Sequence, residues 1–218
     1  MKHRGLFITF EGMDGSGKST QHRLLVKYLT ERGMRVISTR EPGGTAIGEQ
    51  IRSILLGSST QRIVPLAELA LMYAARAQHL EEVVRPALAR GEIVISDRYN
   101  DASLAYQGYG RQLGTSLVKV FDRAICGSTQ PNLTFVLDLP ARLALDRANG
   151  RDLAQKAASR RFEAESLRFH ERVRKGYLAI ARREPRRVKV IQANHPIADI
   201  QREIQRIVNT YLARRGRR

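Results

Sequence analysis

One eight-residue loop constrains this chain more than any other feature. Gly12–Ser19 reads Gly-Met-Asp-Gly-Ser-Gly-Lys-Ser and completes a G-x-x-x-x-G-K-S pattern. The short apolar run Leu6–Phe10 precedes the loop, and apolar residues at helical spacing follow it over Ser19–Arg32. In such a strand–loop–helix unit the glycines let successive backbone N–H groups face an anion, and the helix start adds partial positive charge. The pattern therefore predicts a phosphate-binding loop.

Within this loop, Lys18 is expected to reach the terminal phosphates of a nucleotide, and the Ser19 hydroxyl to ligate magnesium. Asp14 has two interpretations. A carboxylate beside phosphate oxygens is repelled unless it faces magnesium, a base or a hydroxyl group of a second ligand, and the alternative is that Asp14 turns outward and braces the loop. The residues predicted to bind the nucleotide are consecutive: Gly12, Met13, Asp14, Gly15, Ser16, Gly17, Lys18, Ser19 and Thr20.

Strand-like and helix-like segments alternate along the chain. Further buried strands are predicted at Val36–Ser38, Glu92–Asp97, Leu133–Asp138 and Val188–Ile191. Helices are predicted at Ala46–Leu56, Pro65–Arg90 and Ser116–Ile125, in a segment carrying Phe162, Phe169 and Ile180, and from Ile197 to Tyr211; Asp101–Gly110 is ambiguous. This alternation predicts one three-layer α/β domain over residues 1–218, with a parallel five-stranded sheet that binds ligands at the carboxyl ends of its strands.

Two of the predicted strands end in an acid. Asp97 closes the third strand and is followed by Arg98, so we expect Asp97 on the metal side of the site and Arg98 in the cleft. The alternative is an Asp–Arg pair on the surface. Asp138 closes the fourth strand, but Leu139-Pro140 follows it, and we expect Asp138 to cap the next helix.

The charge of the chain is strongly basic and unevenly distributed. Of the net charge of +17, +13 lies in residues 142–218, which hold 21 of the 38 Lys and Arg residues and 8 of the 21 Asp and Glu residues. Residues 147–161 are poor in apolar anchors and carry four arginines, which is typical of a mobile lid that closes on anions: Arg147, Arg151, Arg160 and Arg161. A solvated arginine-rich surface is the alternative. The last six residues, 213–218, are expected to be a frayed basic tail.

Composition excludes several other classes of protein. Hydrophobic residues make up 42% of the chain and charged residues 27%, which is typical of a globular domain and not of a disordered chain. The single cysteine, Cys126, cannot form an internal disulfide, and no run approaches the roughly 20 apolar residues that span a bilayer. We therefore expect a cytoplasmic protein without a membrane partner.

Three motifs together resemble thymidylate kinases. They are Phe10–Thr20, Thr39–Gly44 and Asp97–Tyr99 followed by Ala105–Gly108, and the resemblance extends through Ala74–His79 and Phe169–Tyr177 to cover nearly the whole chain. It implies a P-loop kinase fold and transfer of the γ-phosphoryl group of ATP to dTMP, giving ADP and dTDP with Mg²⁺ as cofactor. It also implies a homodimer and a place in dTTP biosynthesis.

Carried over residue by residue, the resemblance implies a role for each side chain of the site. Arg98 and Arg52 would hold the dTMP phosphate. Three residues would face the edges of the thymine ring: Arg76, Ser103 and Gln107. Glu41 and Asp14 would lie near the sugar hydroxyl and magnesium, with Asp97 and Ser19 as further metal-side groups. Tyr106 would pack against the sugar carbon without a hydroxyl and so exclude ribonucleotides.

Two positions depart from the family pattern or differ among its members. Where a phenylalanine often stacks on the base, this chain has Met72 followed by Tyr73, so either the thioether or the phenol would contact thymine. The phosphate loop carries Gly15 where some members have a basic residue, which resembles the bacterial type with catalytic arginines in the lid. We expect Arg151 and Arg161 to fill that role.

Two rival functions keep the glycine loop but change its use. The first is another P-loop kinase for nucleoside monophosphates or deoxynucleosides. The second is a basic ATPase that binds nucleic acid, which the charge of the C-terminal third would support. Because the chain shows no helix-turn-helix, zinc site or pattern of interleaved aromatic and basic residues, we expect no nucleic-acid partner.

Overall fold

The computed structural model describes residues 5–57, 62–150, 162 and 164–216. Its centre is a sheet of five parallel strands in the order β2-β3-β1-β4-β5. The strands are β1 (Leu6–Glu11), β2 (Val36–Arg40), β3 (Ile93–Asp97), β4 (Leu133–Asp138) and β5 (Val188–Gln192). The strand order reverses at β1, which has β3 on one side and β4 on the other. In a parallel sheet such a reversal opens a crevice at the carboxyl ends of the strands.

Helices cover both faces of the sheet. They are α1 (Lys18–Thr30), α2 (Ala46–Leu56), α3 (Pro65–His79), α4 (Arg85–Ala89), α5 (Asn100–Ser103), α6 (Thr115–Ile125), α7 (Ala141–Asn149), α8 (Leu167–Arg183) and α9 (Ile197–Gly216). A π-helical turn, Leu80–Val84, joins α3 to α4, and another, Leu104–Gly110, continues α5. The predicted helix over Pro65–Arg90 is thus confirmed as a nearly continuous rod.

Alternation along the strands divides the core in two. Ile8 and Ile95 point into a cluster built with α1 and α9, whereas their neighbours Phe7 and Val94 point into a second cluster built with α3 and α6. A strand that is apolar on both faces requires cover on both faces. The three-layer parallel architecture predicted from the sequence is therefore confirmed.

Several local predictions were wrong or incomplete. The ambiguous segment Asp101–Gly110 is helical, and α9 continues through residues 213–216, where alanine and arginine have high helix propensity, instead of fraying there. Phe162 is buried but precedes α8, which begins only at Leu167. None of the described helices is both long and apolar enough to cross a bilayer.

Asp138 does not cap the following helix, as we had predicted. The N-cap position of α7 is Pro140, and no side chain caps this helix. The Asp138 carboxylate instead accepts two hydrogen bonds from Arg174 Nε and Nη2, at 2.7 and 2.8 Å. The buried Asp138 carboxylate therefore forms a bidentate ion pair with Arg174 of α8.

Candidate active site

A cavity of about 710 Å³ opens at the carboxyl edge of the sheet. Most of the predicted site residues line it: Asp14, Gly15, Gly17, Lys18, Ser19, Thr20, Glu41, Arg52, Met72, Arg76, Asp97, Arg98, Ser103, Tyr106 and Gln107. Four predicted residues do not line it: Gly12, Met13, Ser16 and Tyr73. Arg151 and Arg161 lie outside the described residues, as does most of the predicted lid.

The glycine loop needs its glycines for steric reasons. Gly15 has φ 81°, and a Cβ there would lie 2.0 Å from the carbonyl oxygen of Ala144 in α7. Gly17 has φ 90° and forms the N-cap of α1. Any other residue at position 15 would collide with backbone, so the loop can curl between β1 and α7 only with glycine there.

Lys18 is buried at the floor of the loop. Its Nζ donates to the carbonyl of Met13 at 2.8 Å and lies 3.7 Å from the Asp14 carboxylate. Burial, together with the nearby Arg98 guanidinium, lowers the pKa of Lys18 to about 8. Phosphate oxygens beside Lys18 would raise its pKa again, because their negative charge would offset the effects of burial and of Arg98.

The oxygen atoms around Ser19 fit a magnesium ion. Ser19 Oγ donates to Asp97 Oδ2 at 3.1 Å, while Asp97 Oδ1 is buried and has no partner in the part of the chain that the structure describes. Hard oxygen atoms suit Mg²⁺, which takes one or two protein ligands and completes its shell with phosphates and water. The described ranges hold no group of three or more His, Cys, Asp or Glu residues that could hold a metal ion.

Arg98 is held in a special backbone conformation at the end of β3. Its φ is 71°, in the left-handed region that non-glycine residues rarely adopt. The backbone N–H of Arg98 donates to Phe10 at 2.9 Å, and its carbonyl accepts from Ser96 Oγ at 2.7 Å. These bonds stabilise the strained residue, which turns its side chain back over the glycine loop.

The Arg98 guanidinium links the loop to the opposite wall of the cavity. It donates to Gly12 O at 2.9 Å and to Asp14 Oδ1 at 2.8 Å, and it also contacts the hydroxyl groups of Tyr106 and Tyr177. Asp14 does not turn outward: it lines the cavity and pairs with Arg98 and Lys18, and its contact with a second ligand stays a prediction. Arg98 lines the cavity beside the loop, and its role in holding the acceptor phosphate stays a prediction.

A second group of cations lies beside Arg98. Arg52 donates to the carbonyl of Pro42 at 2.7 Å, and Arg23, Arg40 and Arg147 also line the cavity. Burial and the neighbouring Arg40 hold the pKa of Arg52 below its ordinary value. Such crowding of positive charge is typical of a site that binds anions.

The far end of the cavity is organised around Arg76. This side chain, 2% exposed, donates to Glu41 Oε2 at 2.7 Å, to Ser103 Oγ at 3.1 Å and to the carbonyl of Tyr99 at 2.9 Å. Glu41 also binds His79 Nδ1 at 2.8 Å. Burial alone would raise the pKa of Glu41, but Arg76 and His79 bring it below its ordinary value. Glu41 therefore serves as the counter-charge of Arg76 in this structure.

Met72 and Tyr73 point in different directions. Met72 lines the cavity, whereas Tyr73 packs against Phe121 and directs its hydroxyl to the Val118 carbonyl in the other core cluster. Adjacent helical residues are about 100° apart around the axis, so only one of the two can face a ligand. The geometry does not support the predicted base contact of Tyr73.

Sequence reasoning missed four residues that shape the site. Glu11 accepts from Tyr99 N and from the Tyr177 hydroxyl at the end of β1, Glu68 binds Gln107, His79 binds Glu41, and Phe162 lines the cavity. Glu11 carries the same signal as Asp97, an acid at the end of a buried strand, and could have been found. Burial, followed by the effect of Asp101, raises the pKa of Glu11 to about 8. The other three carry no local signal, because their roles come from tertiary contacts.

Comparison with known proteins adds an independent line of evidence. A sequence model described as thymidylate kinase matches residues 10–204. The thymidylate kinase of Desulfovibrio desulfuricans is 47% identical over 97% of this chain and 99% of its own length, and that of Trichlorobacter lovleyi is 47% identical over 95% and 99%. The crystal structure of thymidylate kinase from Ehrlichia chaffeensis is similar with a TM-score of 0.75 at 33% identity, over 94% of this chain and 98% of that one.

These matches cover the glycine loop, Arg98 and the Arg76 end of the cavity together, so they concern the whole site and not the loop alone. They confirm the resemblance inferred from the motifs. The chain belongs to the thymidylate kinase family.

Proposed function

We propose that this chain transfers the γ-phosphoryl group of ATP to dTMP inside the described cavity, giving ADP and dTDP. Membership of the thymidylate kinase family supports dTMP as the acceptor. One observation carries the assignment to this site: a single cavity extends from the glycine loop, past Arg98, to the buried Arg76 and Gln107. A donor phosphate chain and an acceptor base can thus occupy opposite ends of one space.

At the donor end, the loop N–H groups and Lys18 would bind the β- and γ-phosphates of ATP. A magnesium ion, held by Ser19 and Asp97, would supply further neutralisation of phosphate charge. Because the transferring phosphoryl group has a loose transition state, positioning and charge compensation are the main tasks of the protein. Lys18, already desolvated by burial, interacts with phosphate more strongly than a solvated lysine would.

At the acceptor end, Arg98 and Arg52 would hold the dTMP phosphate in line with the γ-phosphorus. The Arg98 guanidinium contacts Asp14 at 2.8 Å, and a bound phosphate would compete with Asp14 for this contact. A phosphate oxygen of dTMP then attacks directly, and no covalent intermediate with the protein is required. We also propose that Arg151 and Arg161 supply charge compensation when the lid closes and excludes water.

We propose sugar and base contacts for the side chains at the far end of the cavity. Tyr106 is buried, with its ring in contact with Arg98 and Phe162, and it would fill the space that a ribose 2′-hydroxyl needs. Arg76 and Ser103 would bind thymine O4 through N–H and O–H donors, and Met72 would lie against the base. In this arrangement Glu41 acts through Arg76 as a positioning residue.

We further propose a cytoplasmic homodimer. Large exposed apolar side chains are concentrated on or next to α2, α3 and α6, of which α3 contacts the other two: Ile47, Ile54, Val64, Leu66 and Val120. A surface of this kind suits a self-complementary interface. Light scattering of the intact chain should give twice the mass of 24.6 kDa, and Ile54→Lys should lower it. A monomeric wild type would contradict the dimer.

The function is tested by incubating the purified chain with ATP, Mg²⁺ and one acceptor at a time, chosen from dTMP, dUMP, dCMP, AMP and thymidine. We expect dTDP, detected by mass, to be the dominant product. A preference for AMP or for thymidine would overturn the assignment. Stimulation of ATP hydrolysis by DNA without any dTDP would favour the rival function of a nucleic-acid-dependent ATPase.

A further inference from the structure

Glu68, in the first turn of α3, is completely buried and lies next to a residue of the proposed base site. It has no place in the phosphoryl transfer described above. Its Oε1 accepts a hydrogen bond from Gln107 Nε2 at 2.7 Å. Gln107 is 1% exposed, and this side chain lines the cavity. The contact therefore joins a buried carboxylate to a group that faces the proposed ligand.

The carboxylate determines which atom of the Gln107 amide remains for a ligand. An ionised carboxylate only accepts hydrogen bonds, so the amide must direct its NH₂ group toward Glu68. The Gln107 Oε1 atom makes no hydrogen bond to the described residues and is not enclosed, so it stays accessible from the cavity. Gln107 therefore presents an acceptor to the cavity.

Arg111 supplies the charge that makes a buried carboxylate tolerable here. Its Nη2 lies 3.0 Å from Glu68 Oε2, and its Nε donates to both carboxylate oxygens at 3.2 Å. The guanidinium also stacks over Phe169 and forms an ion pair with Glu165. Glu68 is thus rigidly held on one side, which fixes its other contact, the one to Gln107.

We propose that Glu68 is a positioning residue that selects the base by fixing the hydrogen-bond polarity of Gln107. An acceptor at this place suits thymine, whose N3 carries a hydrogen, and repels cytosine, whose N3 is itself an acceptor. Arg76, fixed by Glu41 in the same manner, presents donors that suit a carbonyl at position 4 and not an amino group. Each buried carboxylate would then fix the orientation of one base-contacting side chain: Glu68 that of Gln107, and Glu41 that of Arg76. The inference rests on the proposed function, because it places the dTMP base in this cavity.

The test measures the dissociation constants of dTMP and dCMP by calorimetry, together with kcat/KM for both. In Glu68→Gln the residue at 68 can donate as well as accept, so the Gln107 amide can turn over. We expect the preference for dTMP over dCMP to fall at least about 10-fold, the range that one lost hydrogen-bond contact supports, while KM for ATP stays unchanged. Glu165→Gln is the matched control, because it removes the same charge from Arg111 without touching Gln107.

An exchange variant separates positioning from a merely structural role. In the double variant Glu68→Gln with Gln107→Glu, the amide at 68 donates to the carboxylate at 107, which again presents an acceptor to the base. We expect the preference for dTMP to return toward that of the wild type. The proposal is overturned if Glu68→Gln folds and keeps its full preference, or if Glu165→Gln loses as much preference as Glu68→Gln. If wild type binds neither nucleotide, the proposed function itself fails, which is a distinct result.

Discussion

The two ends of the cavity differ in how completely their polar atoms are paired. At the base end, Arg76 and Glu41 are buried, all three Arg76 nitrogens donate to protein partners, and both Glu41 carboxylate oxygens accept hydrogen bonds within the protein. At the phosphate end, Asp97 Oδ1 is buried without a protein partner among the described residues, and the pKa of Lys18 is lowered by burial and by Arg98. The base end is therefore organised by the fold itself, whereas the phosphate end is built for added anions and a cation.

The largest effect should come from the phosphate end. Lys18→Met removes the buried cation that we propose binds the γ-phosphate, and we expect kcat to fall about 1,000-fold. Affinity for dTMP should change less than threefold, because Lys18 contacts none of the residues at the base end. Steady-state kinetics and calorimetry measure the two quantities. A variant that keeps its turnover but loses dTMP binding would reverse the roles of the two ends.

Arg98→Ala should have the next largest effect. We expect turnover with dTMP to fall by about 100-fold or more, because the guanidinium proposed to hold the acceptor phosphate is removed. ATP binding should be retained. Arg98→Lys serves as the control. It keeps a positive charge but lacks the planar guanidinium group, which can donate to Asp14 and to a phosphate at the same time. Near-normal rates in the alanine variant would disprove the role of Arg98.

The base end should respond through stability as well as affinity. Glu41→Gln leaves the buried guanidinium of Arg76 without its counter-charge, and the free energy of unfolding should fall by about 3 kcal/mol. KM for dTMP should rise at least 10-fold and KM for ATP should stay constant. Urea denaturation and initial-rate kinetics are the measurements. If KM for ATP changes and KM for dTMP does not, the assignment of the two ends is incorrect.

Glu11 offers a pH-dependent test of charge burial beneath the phosphate end. Burial raises its pKa from 4.5 to about 8, so between these values the folded chain holds a proton that the unfolded chain releases. Stability from this group is present below pH 4.5 and is lost as pH rises to 8, by at most about 1.4 kcal/mol per pH unit. Glu11→Gln mimics the protonated carboxyl group and should lack this loss. Urea denaturation of both proteins from pH 5 to 8 should show diverging stabilities, and parallel curves would refute the shift.

The smallest effect concerns the face of the base. Met72→Ala removes a side chain that lines the cavity, and we expect KM for dTMP to rise about threefold to tenfold, as loss of a thioether contact implies. Tyr73→Phe is the matched variant on the neighbouring residue, and KM for dTMP should not change. An effect of Tyr73→Phe alone would mean that the phenol, and not the thioether, contacts thymine.

The sequence was sufficient for the fold because each strand and the glycine loop carry local signals. The apolar run Leu6–Phe10 followed by Gly12–Ser19 predicted a strand–loop–helix unit, and β1 and α1 flank the loop as expected. Asp138 shows where local reasoning ends: its spacing to Pro140 suggested a cap, but Arg174, 36 residues away, provides the stronger partner. The polarity of Gln107 is set in the same non-local way by Glu68, 39 residues distant.

The most direct test of the account is a crystal structure of the chain with dTMP and a non-hydrolysable ATP analogue. We predict that the dTMP phosphate binds Arg98, that the base lies against Arg76 and Gln107, and that the Arg76–Glu41 hydrogen bond stays near its present 2.7 Å. The triphosphate should occupy the glycine loop. A structure in which dTMP lies away from Arg98, or in which Arg76 leaves Glu41 to reach it, would contradict the account.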